Sequence, residues 1–522
     1  MKKLLSLKRL GLSALAIGAI ALTSAGLTSC TSDFDAINTN PTQPVNIDPM
    51  FLLANNQLRI AGDNFEQQSW NYTGLCLVVQ HTAPTGEFGA DMYQSLPSST
   101  FELMYSGRPA IGQTGIVRQI QDMIELSKGD PRYANLTAMA RILRVFVFHR
   151  LTDLFGDIPY TEASRGFYDR NFTPRYDNQQ DIYRDMLKEL REASAQFSTN
   201  ALAVGARDAM FQGNIDRWRR FAQSLRLRLA MRLTNVDPAT ARSEAEAAIA
   251  AGVMQSNADR AWLDHANNIR VVQSPIAQGI ALQIALYRYS STFINQLRTT
   301  NDPRMRIFID PGFTNNNNPI GVPNGLTSAQ RTAQGVNNAA AARPSQIIAS
   351  RDFNSPSMIM TYAEVEFLMA EAKLRGWTTP KTANQHYLDG ITAAMGNYAA
   401  PVYPNPTNVA MPTPAEVTAF TTQATVALTG TFDQQLERII MQKWIVLLFD
   451  GFEPYSEFRR TGFPRLAVLN PVGNITNGQF PRRALYPTSE LNTNPDNVNA
   501  AIQRAGANYN SLTARVWWDT RP

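Results

Sequence analysis

The chain has 522 residues, 44% of them hydrophobic, enough to bury a large core as one elaborate domain or two ordinary ones. Its 48 basic and 43 acidic residues give a formal charge of +5, but four of the cations (Lys2, Lys3, Lys8 and Arg9) lie in a leader with no acidic residues, and beyond it the balance is about +1. That excludes the basic footprint of a nucleic-acid binder, and with only Cys30 and Cys76 the chain excludes a disulfide framework and a cysteine metal cluster.

Behind the leader cations, Leu10 to Leu22 is uncharged and rich in Leu, Ala and Ile. It is shorter than the roughly 20 residues of a bilayer span. The small residues Ser24, Ala25 and Gly26 follow, which is a signal peptide's layout. Leu27-Thr28-Ser29-Cys30 also fits the bacterial lipobox: an aliphatic residue, two small ones, and the cysteine that becomes the new N-terminus. Residues 1–29 are therefore expected to be a lipoprotein signal peptide and Cys30 the lipidation site. Its acyl chains would hold the protein to a membrane at about 0.8 kcal/mol per buried methylene. Residues 30–47, including "NTNPTQP", read as a lipidated N-terminus and extended tether, and 48–522 as the folded body. Cys76, inside the apolar "GLCLVV", reads as a buried thiol.

Helix signals dominate the body. Asp130-Pro131 offers an N-cap and a first-turn proline for the run to Phe155, which Gly156 and Pro159 stop. Asp237-Pro238 opens a helix that Gly252 closes, and Thr361 with Glu364 reads as a capping box for a helix ending before Gly376. On this last helix Val365, Leu368, Met369 and Ala372 form one apolar stripe and Phe367 and Leu374 a second, so it needs neighbours on two sides. "ANQHYLDGITAAM" follows as its partner, and similar pairs run from 179 to 251. The expected fold is all-α: a tetratricopeptide-like scaffold of helix pairs with long ordered loops at 63–116, 266–285, 310–357 and 397–430.

No zinc-protease histidine pair, Gly-x-Ser-x-Gly elbow or phosphate-binding glycine loop occurs, and the four histidines are scattered singly. Asp153 and Asp157 bracket Gly156 and read as turn and capping residues; Glu453 and Glu457, beside Arg459 and Arg460, read as charge pairs fixing a helix-to-loop junction. No catalytic residue and no cofactor is assigned. The loops do carry aromatic rings, including Trp262 and Trp377, and flat faces of this kind stack on sugars or pack peptide side chains. The expected ligand contacts are Trp70, Tyr72, Phe88 and Tyr93 from one segment with Tyr287 and Tyr289 from another.

Several segments, in order, resemble the SusD/RagB family of outer-membrane lipoproteins, in its SusD-like nutrient-binding branch. They are "INTNPTQP", "FVFHRLTDLFGDIPYTEA" (146–163), "WRRFAQSLRLRLAMRL" (218–233), "TYAEVEFLMAEAKLRGW" (361–377), "QKWIVLLFDGFEPYSEFRRTGFPRL" (442–466), "FPRRALYPTSELNTNP" (480–495) and "RVWWD" (515–519). The resemblance implies a non-enzymatic lipoprotein, lipid-anchored in the outer membrane of a Bacteroidetes-type cell and facing the exterior. It also implies an oligosaccharide or peptide ligand and a SusC-like TonB-dependent transporter as partner. A surface glycosidase on an α-helical toroid is the alternative reading, which requires a carboxylate pair lining a cleft. A purely structural scaffold without a small ligand is the third, and it would show no aromatic cluster converging on one pocket.

Overall fold

The computed structural model describes residues 47–521 apart from 267–271, 284–285, 316–317, 399–408, 468 and 507; the signal peptide, Cys30 and nearly all of the tether lie outside the described residues. Residues 49–522 form one compact unit.

The unit opens with α1 (Phe51–Ala61), which ends where Gly62 takes a positive φ of 75°. Asp63 then caps α2 (Asn64–Gln67), with Glu66 returning a bond to the Asp63 backbone. The chain continues through π-helical turns at Gln68–Leu75 and on to β1 (Thr82–Pro84) and the short ribbon β2 (Gly107–Arg108) and β3 (Gln113–Thr114).

Then the scaffold begins. Helices α3 (Ile116–Ser127), α4 (Ala134–Phe155), α5 (Gln179–Gln196), α6 (Ile215–Arg232) and α7 (Pro238–Ala251) pack each against the next. Asp130 accepts from the Arg132 amide across a single 3₁₀ turn before α4, and Asp237 from the Thr240 amide at the start of α7. Helix α4 is apolar nearly all round and buried along most of its length, which makes it the central post of the stack. Ala241, Ala245 and Ala248 form the fully buried stripe of α7, small enough to bring its backbone close to α6.

Beyond α7 come β4 (Ala261–Leu263), α8 (Pro275–Gln283), β5 (Tyr287–Tyr289) and β6 (Ser357–Met360), followed by α9 (Tyr362–Leu374), α10 (Ala383–Gly396), α11 (Phe432–Val446) and α12 (Phe452–Thr461). Helix α9 packs on α6, α10 and α11. Its first stripe enters the main core, while Phe367 enters a second apolar cluster with Tyr387 and Ile391, so both stripes are covered as expected. One detail differs. Thr361 accepts from the Glu364 amide, but the Glu364 carboxylate pairs with Arg228 and does not close a capping box.

Strands act only as clips: antiparallel pairs β1–β5, β2–β3 and β4–β6, the first and last joining segments far apart in sequence. The fold is all-α, a tetratricopeptide-like stack of helix pairs carrying long loops.

Candidate ligand cleft

The aromatic residues expected on loops are mostly inside. Trp70, Tyr72, Tyr93, Tyr287 and Tyr289 are buried, and only Phe88 is half-exposed. The expectation that these rings present open faces is thereby corrected. Pairing of Pro84 with Tyr287 and of Thr82 with Tyr289 does bring the two segments together, but it turns their rings inward. Tyr287 lies 5.5 Å from Phe88 and 6.2 Å from Tyr72, Tyr289 stacks on Phe293 at 5.2 Å, and Tyr93 meets Phe480 edge-on at 6.1 Å. Burial of such rings is favourable core packing, with the Tyr72 and Tyr289 hydroxyls donating to the Ile276 and Phe308 carbonyls and the Tyr93 hydroxyl accepting from the Leu469 amide. Of the other two loop tryptophans, Trp377 is buried and Trp262 has Arg260 over its ring at 3.6 Å.

Two of the buried rings support a cleft from behind. A side chain at Gly62 would begin 2.7 Å from the Trp70 ring, so Trp70 fills the space directly under the turn that follows α1. The Tyr72 hydroxyl donates to the Ile276 carbonyl at 2.9 Å, and its ring occupies the space left by Gly279, holding α8 in place. In front of these contacts opens a cleft of about 610 Å³, walled by α1, the Gly62–Asn64 turn, the β2–β3 ribbon, His265, Gln273 and the start of α8. That volume is in the range of small-ligand sites. A separate pocket of about 60 Å³ beside Asn71 and Arg150 is too small for a sugar ring.

The cleft's polar wall is a chain of paired charges. Arg59 holds the Glu66 carboxylate with both terminal nitrogens, and burial pushes the Glu66 pKa up against the pull of Arg59. Arg108 donates to Asp63 and, through Nε, to Gln113 at 2.6 Å; Gln113 in turn donates to Asp63 at 3.0 Å. Gly107 makes this possible, because a Cβ there would stand 2.4 Å from the Gln113 carbonyl and block the ribbon.

Two guanidiniums thus face two carboxylates and the wall is close to neutral. Asn55, Asn64, Gln113, Gln119, Gln273 and Gln278 add amides, which both donate and accept. The apolar contributions are Leu58, Pro275 and Ile111, the last 68% exposed at the tip of the ribbon, and beside the cleft Phe65 has Arg108 across one face at 4.9 Å. His265 closes the far end. Its Nδ1 donates to the Val272 carbonyl at 2.9 Å, so Nε2 accepts from the Ser357 hydroxyl at 2.8 Å, and burial lowers its pKa to about 4. It is a fixed, neutral wall.

Sequence reasoning placed the site on rings of segment 63–116 and on Tyr287 and Tyr289; none of those six side chains lines the cleft, which shares only the first segment with that expectation. The available signal was the glycine-punctuated "GRPAIGQTG" beside Asp63, a tight turn surrounded by hydrogen-bonding residues.

The carboxylates considered for catalysis are held by structural partners. Asp153 accepts from Tyr183 and from Trp518 Nε1 at 2.9 Å and lies 3.3 Å from Arg232; Asp157 pairs with Arg504 at 2.6 Å and accepts from the Gln179 amide. Glu453 and Glu457 are buried against Arg232, Lys443 and Arg460. Asp157 keeps the expected turn role, but Asp153, Glu453 and Glu457 lie within helices and bridge them in the core, which corrects the capping and helix-to-loop junction roles expected of them.

A helical scaffold presenting a near-neutral, amide-lined cleft defines a protein built to hold a polar ligand. The family model described as "Starch-binding associating with outer membrane", SusD-like, matches residues 41–487, and the chain belongs to this SusD-like family. Among solved structures it is similar to a chitin-binding protein, with 30% identity over 91% of this chain and 100% of the other and a TM-score of 0.79. It is also similar to a Bacteroidetes SusD-like protein (AC2a; 28%, 91% and 100%, 0.77) and to a chitin-binding SusD homolog from Flavobacterium johnsoniae (25%, 91% and 98%, 0.73). No curated protein matches. Among the described residues no helix is long and apolar enough to cross a membrane.

Proposed function

We propose that this chain is a surface lipoprotein that captures an oligosaccharide in the cleft beside Arg108 and delivers it to a SusC-like TonB-dependent transporter. The observation that carries the reading is the wall itself: charges paired within the protein leave little net charge to recruit, while six amides lie along the lining, and an amide can both donate to and accept from sugar hydroxyls and acetamido groups. Two similar solved structures are named chitin-binding, which makes β-linked N-acetylglucosamine oligomers the first ligand to try. Trp70 and Tyr72 serve at one remove, fixing the Gly62 turn and α8. The paired state of Asp63 and Glu66 favours holding over hydrolysis, since neither carboxylate is left to attack or to protonate a glycosidic oxygen.

Calorimetric titration with chitohexaose and maltohexaose tests this. At least one should bind and be recovered uncleaved, and Arg108→Ala with Gln113→Ala should weaken it by about tenfold or more through lost charge-assisted bonds. Failure of both sugars, or affinity unchanged in the double variant, removes the cleft from the proposal. The anchoring arm is separate: Cys30→Ala should move the protein from the membrane to the soluble fraction with its helical content intact.

A further inference from the structure

A second cleft, of about 490 Å³, lies between the C-terminal end of α12 and segments near the end of the chain. Four arginines line it: Arg459, Arg482, Arg515 and Arg521, over a floor that includes the buried ring of Phe480. Among the described residues no carboxylate side chain belongs to its lining.

The charge imbalance is specific. Arg459 directs its nitrogens to the carbonyls of Tyr455, Arg482 and Asp153 and to the Ser456 hydroxyl, with its plane held over Tyr455 at 4.0 Å and Trp518 at 4.5 Å. Neutral oxygens satisfy its hydrogen bonds without cancelling its charge. Arg482 and Arg515 share a single acid, Asp519, at 2.8 and 3.3 Å, and Asp519 is itself buried. Arg521 packs over Phe463 at 5.2 Å and makes no ion pair among the described residues. Among the described residues, four positive charges therefore face Asp519 behind them, with Asp153, already paired with Arg232, the other acid acting on Arg459. Like charges gathered around a shared space repel, and the repulsion is stronger where burial lowers the local dielectric. An anion entering that space relieves it. Guanidinium groups also match planar and tetrahedral oxyanions through paired N–H donors.

We propose that this cleft is a binding site for an oxyanion, a carboxylate or a sulfate or phosphate group, borne by a small ligand or free in solution. It is distinct from the near-neutral cleft beside Arg108 and stands whether or not that cleft binds a glycan.

The full chain is titrated by calorimetry with D-glucuronate, inorganic sulfate and D-glucose, at low and high salt. Glucuronate, sulfate or both should bind, weakening as salt rises, while glucose does not. Binding of glucuronate alone identifies a sugar-borne carboxylate, and binding of sulfate alone a tetrahedral anion; either supports the site. Arg515→Gln with Arg521→Gln should weaken the binding by about tenfold or more, with circular dichroism and the response to chitohexaose unchanged. Arg521→Gln alone, at a position with no described ion pair to lose, should give a smaller loss in the same direction. Absence of both anions from the unaltered protein at millimolar concentration overturns the proposal, and so does equal affinity in the double variant.

Discussion

At the scale of single residues, the useful contrast is between Trp70 and Arg108, which stand on opposite sides of one cleft wall. Trp70 is 1% exposed, packed under Gly62 and edge-on to Phe452 at 5.9 Å. Its replacement by alanine should lower the unfolding free energy by about 3–5 kcal/mol, read as a shift of the urea midpoint, because the void cannot collapse against a turn already in contact. A stability change near zero with abolished sugar binding would return Trp70 to the role of direct contact. His265 makes a different prediction. Burial lowers its folded pKa to about 4 from an ordinary value near 6.5, so the unfolded chain takes the proton first as pH falls. Its share of the stability is complete above about pH 6.5 and is lost as pH drops toward about 4. Denaturant midpoints measured across that window should fall more steeply for the unaltered protein than for His265→Gln. Parallel profiles would show that the imidazole is not held neutral. In both residues an amino-acid type visible in sequence acquires its role from neighbours supplied by distant segments, and the inward turn of Tyr287 and Tyr289 on β5 was hidden for the same reason.

At the scale of elements, much more was legible, since helices carry their instructions locally. Asp237 caps α7 as its position requires, Asp130 caps the 3₁₀ turn that leads into α4 and not α4 itself, and the two-stripe pattern of α9 correctly demands two partners. The approach of α10 is written in Gly390, where a Cβ would lie 2.6 Å from the Phe367 ring. Local grammar fails where a long-range partner competes. The Thr361–Glu364 spacing is that of a capping box, yet the Glu364 carboxylate takes a bidentate bond from Arg228, because a charged pair in a buried setting outweighs a bond to one backbone amide. The cleft shows the same limit. Its β2–β3 ribbon is too short for an alternating pattern, and what fixes it is Gly107 and the side-chain chain from Arg108 to Asp63.

At the scale of the whole molecule, four of the seven segments that carry the family resemblance converge on one buried structure. Asp153 from 146–163, Arg228 and Arg232 from 218–233, Glu364 and Glu371 from 361–377, and Lys443, Glu453, Glu457 and Arg460 from 442–466 form a single ion-pair network. Every member is buried. The network ties α4, α6, α9, α11 and α12 together, which explains why the sequence announces its scaffold so clearly and its ligand so poorly: the recognisable residues specify how helices meet, while the cleft is built from short turns. Desolvation makes such a network costly to assemble and more costly to leave half-made. Arg228→Ala or Glu364→Ala alone should therefore lower stability by about 3–5 kcal/mol, because each strands a charge in the core. Replacing both together with apolar residues of similar size, Arg228→Met with Glu364→Leu, should recover most of that loss, since no unpaired partner remains of the bidentate bond. Urea unfolding of the two single variants and the double variant checks this as a cycle, and losses that simply add would show that the pair is not coupled. Sugar binding at the distant Arg108 wall should stay the same in the double variant, because the network sets the helix stack and the cleft is closed by its own local bonds.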